Sequence, residues 1–87
     1  MIILKRHQLV DFWTRHPDAE THLKAWFAEA QKATWKNPQD IKKRYQNASI
    51  IGNRVIFTIR GTLCRLIVAV RYESGIVLIR FLEARYE

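Results

Sequence analysis

The hydrophobic positions change period once along this chain. Up to about Tyr45 they recur as on helical faces, and from Ala48 onward they alternate. "HQLVDFWTRH" groups Leu9, Val10, Phe12 and Trp13 on one face of a short helix. In "HPDAETHLKAWFAEAQKATW", Leu23, Trp26, Phe27 and Ala30 follow the i, i+3, i+4, i+7 spacing of a buried stripe. Pro17 suits the first position of that helix, and Asp18 and Glu20 fall in its first turn, where the helix dipole favours anions. "NPQDIKKRY" repeats the start signal, with Asn37 as N-cap and Pro38 first in a short basic helix. The opening "MIIL" predicts a short edge strand.

The second half reads as three strands, "NRVIFTIR", "LCRLIVAVRY" and "IVLIRFL", joined by two-residue turns at "GT" and "SG". The predicted class is α+β: a small antiparallel sheet of three main strands plus the N-terminal edge strand, with the N-terminal helices on one face. Residues 1–87 are read as a single domain.

Side chains alternate across a strand, so the register fixes what each face carries. The two turns predict that Arg60 pairs with Leu63, Thr58 with Arg65, Glu73 with Ile76 and Ala69 with Arg80. This places Val55, Phe57, Ile59, Cys64, Leu66, Val68, Val70, Tyr72, Val77, Ile79 and Phe81 on the core side. The opposite side receives Arg54, Thr58, Arg60, Arg65, Arg71 and Arg80. With only Glu73, Glu83 and Glu87 in this half, the arginine strip is expected to bind an external anion.

Charge strengthens that expectation. The net charge is +7, all six lysines lie in the first half, and from Ser49 onward every cation is arginine. Arginine's planar fork binds phosphate through two hydrogen bonds at once. No apolar run approaches the roughly 20 residues that span a bilayer. "MIILKRH" has the reverse order of a signal peptide. The lone Cys64, expected to pack in the core, fits a reducing, cytoplasmic setting. His7, His16 and His22 lack metal-ligand spacing, and His16 and His22 read as surface residues. No glycine-rich phosphate loop is present. A DNA-reading module fits poorly, because the only basic helix is very short. The chemistry these residues suit is cleavage of RNA by its own 2′-hydroxyl, where the protein aligns the nucleophile and stabilises the phosphorane.

The blocks HPDAE, LKAWF, WKNP, DIK, GNRVIF, RLIV and IRF, running from about Phe12 to Leu82, together resemble the HigB toxins of type II toxin–antitoxin modules. The resemblance implies a RelE-like fold and a metal-independent endoribonuclease that cuts mRNA on the translating ribosome. It also implies neutralisation by a HigA-like helix-turn-helix antitoxin, with no cofactor and no membrane partner. Arg65 stands in the family's YRL(I/V)V strand and Arg80 in its IRF strand, which implies phosphate-gripping, catalytic roles. Arg60 stands where members often have lysine in "FNIKG", and Thr58 where they often have asparagine. Members continue past IRF with a segment like "GTHAEYDKID", whereas this chain has "LEARYE". That ending reads either as a shortened "AEYD" keeping Tyr86, or as one altered by truncation or frameshift.

The expected catalytic residues are therefore Arg65, Arg80 and Tyr86. The expected RNA-binding residues are Arg54, Thr58, Arg60, Arg71, Lys42 and Lys43. The rival expectation is an inactive remnant that binds RNA, ribosome or antitoxin as a regulatory module.

Overall fold

The helical half begins with the expected signals. In the computed structural model, which describes residues 1–59 and 64–84, strand β1 (Ile2–Leu4) leads into helix α1 (His7–Arg15). A short 3₁₀ turn, Pro17–Ala19, precedes α2 (Glu20–Lys32), and α3 covers Pro38–Arg44. Pro17 thus opens a tight turn feeding α2 rather than α2 itself. At α3 the Asn37 side chain accepts from the Asp40 N–H at 3.1 Å, and Asp40 Oδ2 accepts from the Lys36 N–H at 2.9 Å. That reciprocal pair satisfies two backbone donors at the helix entry.

The strands are β2 (Ser49–Ile51), β3 (Arg54–Ile59), β4 (Cys64–Arg71) and β5 (Ile76–Ala84). They form one five-stranded sheet in the order β1-β5-β4-β3-β2. The N-terminal edge strand forms as expected, but it runs parallel to β5, so the sheet is mixed. Strand β2 was not anticipated. It pairs with β3 through a two-residue turn in which Gly52 has φ 60°, with Ile51 opposite Arg54. A hairpin turn of this kind favours glycine at its first central position.

The pairing of Thr58 with Arg65 is borne out. The "GT" turn and the Arg60–Leu63 pair lie outside the described residues. The second hairpin differs from expectation. Its connection is Tyr72–Gly75, so Arg71 pairs with Ile76 and Ala69 with Leu78, rather than Ala69 with Arg80. A two-residue slip of this kind keeps every face unchanged.

A bulge further along changes the faces. Val68 pairs with Ile79 but Ile67 pairs with Phe81, leaving Arg80 as the extra residue. Beyond it the phase of β5 inverts. Leu82 and Ala84 pack towards the core with Leu66 and Cys64. Phe81, expected in the core, instead faces outwards and is 49% exposed.

The core lies between the helices and one face of the sheet. Leu9 and Phe12 of α1, Leu23, Trp26 and Ala30 of α2 and Ile41 of α3 meet Val55, Phe57, Leu66, Val68, Val77 and Ile79. Phe57 is its aromatic centre, in contact with the rings of Trp26, Trp35 and Tyr45. Each large apolar side chain buried there contributes about 1.5–3 kcal/mol relative to exposure. Among the described residues no helix covers the other, open face of the sheet.

Candidate nucleic-acid interface

The ladder registers place Arg54, Thr58, Arg65 and Arg71 together on the open face, as parity predicted, and Arg80 is exposed at the bulge between them and Phe81. They do not form one strip. Arg65 and Arg71 are six positions apart on β4, which is about 20 Å of extended chain. Arg54 and Arg71 mark the end near the Tyr72–Gly75 turn. Thr58, Arg65 and Glu83 form a cross-strand row at the opposite end, with Arg80 close by at the bulge.

Aliphatic residues lie between the two ends. Ile2, Leu4, Ile51, Ile56, Ile67, Ala69, Ile76, Leu78 and Phe81 share this face. Ile2 at 61%, Leu4 at 42% and Ile51 at 67% exposure join Phe81 as the large apolar side chains most open to solvent among the described residues. All four are on the open face. The arginines therefore rim an apolar surface.

Glu83 is the residue that sequence reasoning missed. The inverted phase of β5 puts it opposite Arg65, whose Nη2 donates to Glu83 Oε2 at 3.0 Å. Both side chains are about 40% exposed. Arg65 Nε is shielded and has no hydrogen-bond partner among the described residues. One arginine of the strip thus already has its counter-ion, while the acidic residues of this half remain fewer than its arginines.

Lys42 and Lys43 are set apart from the arginines. They belong to α3, in the helical layer behind the sheet. Lys42 Nζ donates to the Gln46 and Ala48 carbonyls at 3.0 and 2.9 Å, tying α3 to the segment that enters β2. Lys43 is exposed. Arg60 and Tyr86 lie outside the described residues.

A cleft of about 490 Å³ opens at the edge of β3 beside the helices, lined in part by His22, Glu29, Tyr45 and Thr58. His22, read as a surface residue, is half-buried here. Glu29 accepts from the Tyr45 hydroxyl and pairs with Arg44. The Tyr45 hydrogen bond and the Arg44 charge hold the Glu29 carboxyl below its ordinary range, overriding the opposing effect of burial. Burial and the Glu29 carboxylate push the Tyr45 hydroxyl well up, so it stays protonated and serves as a fixed donor. This cluster joins α2 to the end of α3.

Cys64 packs in the core as expected, and burial pushes its thiol up to about 11. Among the described residues no helix is long and apolar enough to cross a membrane.

A search among curated proteins finds no match. The family model of HigB toxins, the RelE-like toxic component of a toxin–antitoxin system, matches residues 19–87. That span includes α2, α3 and strands β2 to β5, and with them every described arginine of the open face. The helices packed on one side of the sheet and the basic open face fit that family, and the chain belongs to the HigB toxins as the toxin component of a toxin–antitoxin system.

Proposed function

We propose that this toxin is an mRNA endoribonuclease acting on the translating ribosome. The observation that carries the reading is the convergence of Thr58, Arg65 and Arg80 at one end of an open sheet face. RNA supplies its own nucleophile. Arg65 and Arg80 stabilise the charge that builds on the phosphorane, and Thr58 offers a hydroxyl to the same backbone. Arg71, about 20 Å from Arg65 along β4, and Arg54, opposite Ala69 and about 13 Å along, hold the flanking phosphates together with Arg60. Tyr86 stacks on a base or donates a proton. Metal and cofactor have no assigned part.

The antitoxin is a HigA-like helix-turn-helix protein, and the apolar part of the open face is where a segment of it docks. Exposed Ile2 and Leu4 beside Ile76 and Leu78 offer apolar contacts, and the rimming arginines suit acidic residues on the partner.

Cell-free translation with primer extension tests the nuclease reading. The chain is expected to produce discrete cuts in a translated mRNA, and Arg65→Ala with Arg80→Ala is expected to abolish them. Unchanged cuts in the double variant would sink the assignment. The second reading is a binding module without cleavage, and the ion pair that already occupies Arg65 favours it. Retained ribosome or RNA binding without any cut would select that reading.

A further inference from the structure

We infer that Glu83 is the general base of the proposed cleavage. The inference rests on the ribonuclease reading and supplies its missing proton acceptor. Of the described residues on the open face, Arg54, Arg65, Arg71 and Arg80 are guanidinium donors with no capacity to accept a proton. The Thr58 hydroxyl is a poor base. His7 and His16, in and just after α1, belong to the helical layer, His22 of α2 borders a cleft it shares with Thr58 but not with Arg65, and Tyr72 packs partly against the core with its hydroxyl shielded. Glu83 is the one carboxylate among the described residues on this face.

Its place is set by the fold. The extra residue Arg80 inverts the phase of β5, and this brings Glu83 opposite Arg65 instead of opposite the core. An anion-stabilising guanidinium and a carboxylate then stand one hydrogen-bond length apart, 3.0 Å. The 2′-oxygen of a ribose and an oxygen of its adjoining phosphate present a similar spacing, about 3 Å in an attack-ready geometry. One phosphodiester can therefore meet both side chains at once.

In the resting site Arg65 holds Glu83 Oε2. When RNA docks, a phosphate oxygen takes over the guanidinium, and the released carboxylate faces the 2′-hydroxyl. The 2′-oxygen bonds to phosphorus as its proton passes to Glu83. The bond from phosphorus to the 5′-oxygen breaks, and the departing oxygen takes a proton from water. The products are a 2′,3′-cyclic phosphate and a 5′-hydroxyl. No oxidant or further reactant is required.

The charged groups facing Glu83 are Arg65 from β4 and Arg80 on its own strand. Asp11 and Arg15 of α1 flank Phe81 and Leu82 at the strand's outer edge. These groups shape the pH dependence along with Glu83, so the test compares variants rather than absolute values.

The experiment measures single-turnover cleavage of a translated mRNA by the intact chain and by Glu83→Gln and Glu83→Asp, from pH 5 to pH 9. A 2′-deoxy oligonucleotide at the cleavage site reports binding without chemistry. Glu83→Gln keeps the shape and removes the acceptor. It is expected to slow cleavage by roughly 100-fold or more, as loss of a general base does. It should also flatten the acid limb of the rate profile and bind the 2′-deoxy oligonucleotide no more weakly. Glu83→Asp should retain part of the rate and the acid limb. If Glu83→Gln cuts at the parental rate with an unchanged profile, Glu83 only holds Arg65. The base assignment then falls and the nuclease reading stands. If the parental chain itself leaves the mRNA intact, both fall.

Discussion

Arg65 and Glu83 face each other with about 40% of each side chain in solvent. An ion pair this exposed contributes on the order of 0.2–1 kcal/mol. Glu83→Ala is therefore expected to move the melting temperature by only a few degrees, followed by circular dichroism, so activity lost in Glu83 variants would report chemistry rather than unfolding. Glu29 is placed differently, because it links Tyr45 and Arg44 and its carboxyl titrates below its ordinary value. The folded chain holds that proton less tightly than the unfolded chain does. The stabilisation is complete above the ordinary carboxylate value of about 4.3 and is lost as pH falls through the lower folded value. Glu29→Gln should destabilise at pH 7, and the gap between the two melting curves should close in acid. Lys5 adopts φ 68° between β1 and α1, a left-handed conformation that costs a side chain with a Cβ roughly 1–2 kcal/mol. Lys5→Asn is expected to raise the melting temperature. Residue identity alone could not reveal the roles of Glu83 and Glu29, since each depends on a partner that is distant in sequence.

Strand β5 behaves as two half-strands in opposite phase, joined at Arg80. Deleting Arg80 removes the extra residue and leaves every pairing from Phe81 onward on its present face. Such a chain should fold with a melting temperature within a few degrees of the parent. Deleting Leu82 instead slides Glu83 opposite Leu66 and into the core, where an unpaired carboxylate costs several kcal/mol. That chain should melt far lower or not fold, and the same circular dichroism scan distinguishes the two. The α2 stripe and the α3 cap were legible because both signals are local, in Leu23, Trp26, Ala30 and Asn37. The β2 hairpin was also present in "IIGNRV", as a Gly-Asn pair between apolar runs, although β2 is only three residues long. The bulge could not be read locally. Val77, Ile79 and Phe81 alternate without interruption, and only the pairing with β4 reveals that the alternation breaks.

Across the whole molecule, one sheet face is covered by helices and the other carries aliphatics with arginines at its rim. Parity located Arg54, Arg65 and Arg71 correctly, but counting charges hid Ile56, Ile67, Ala69 and Leu78 between them. Ile2, Leu4, Ile51 and Phe81 leave apolar surface on this face in water, as a surface that meets a partner does. The chain alone should bind a hydrophobic dye and associate at high concentration, and its antitoxin should suppress both. Ile2→Lys with Leu4→Lys should lower the melting temperature only modestly, because Ile2 is mostly in solvent and Leu4 is only partly covered. The same pair should weaken antitoxin binding by tenfold or more in a titration, corresponding to about 1.4 kcal/mol. Undiminished affinity would move the antitoxin to another surface.

The fully buried Cys64 gives the molecule a built-in clock. A thiol that packs at the head of β4 and titrates near 11 reacts with an aromatic disulfide only when that region opens. As Cys64 is the chain's single cysteine, the labelling rate reports one opening event with no background from other sites. Timed with and without RNA or antitoxin, it measures how far each partner holds the Cys64 end of β4 closed.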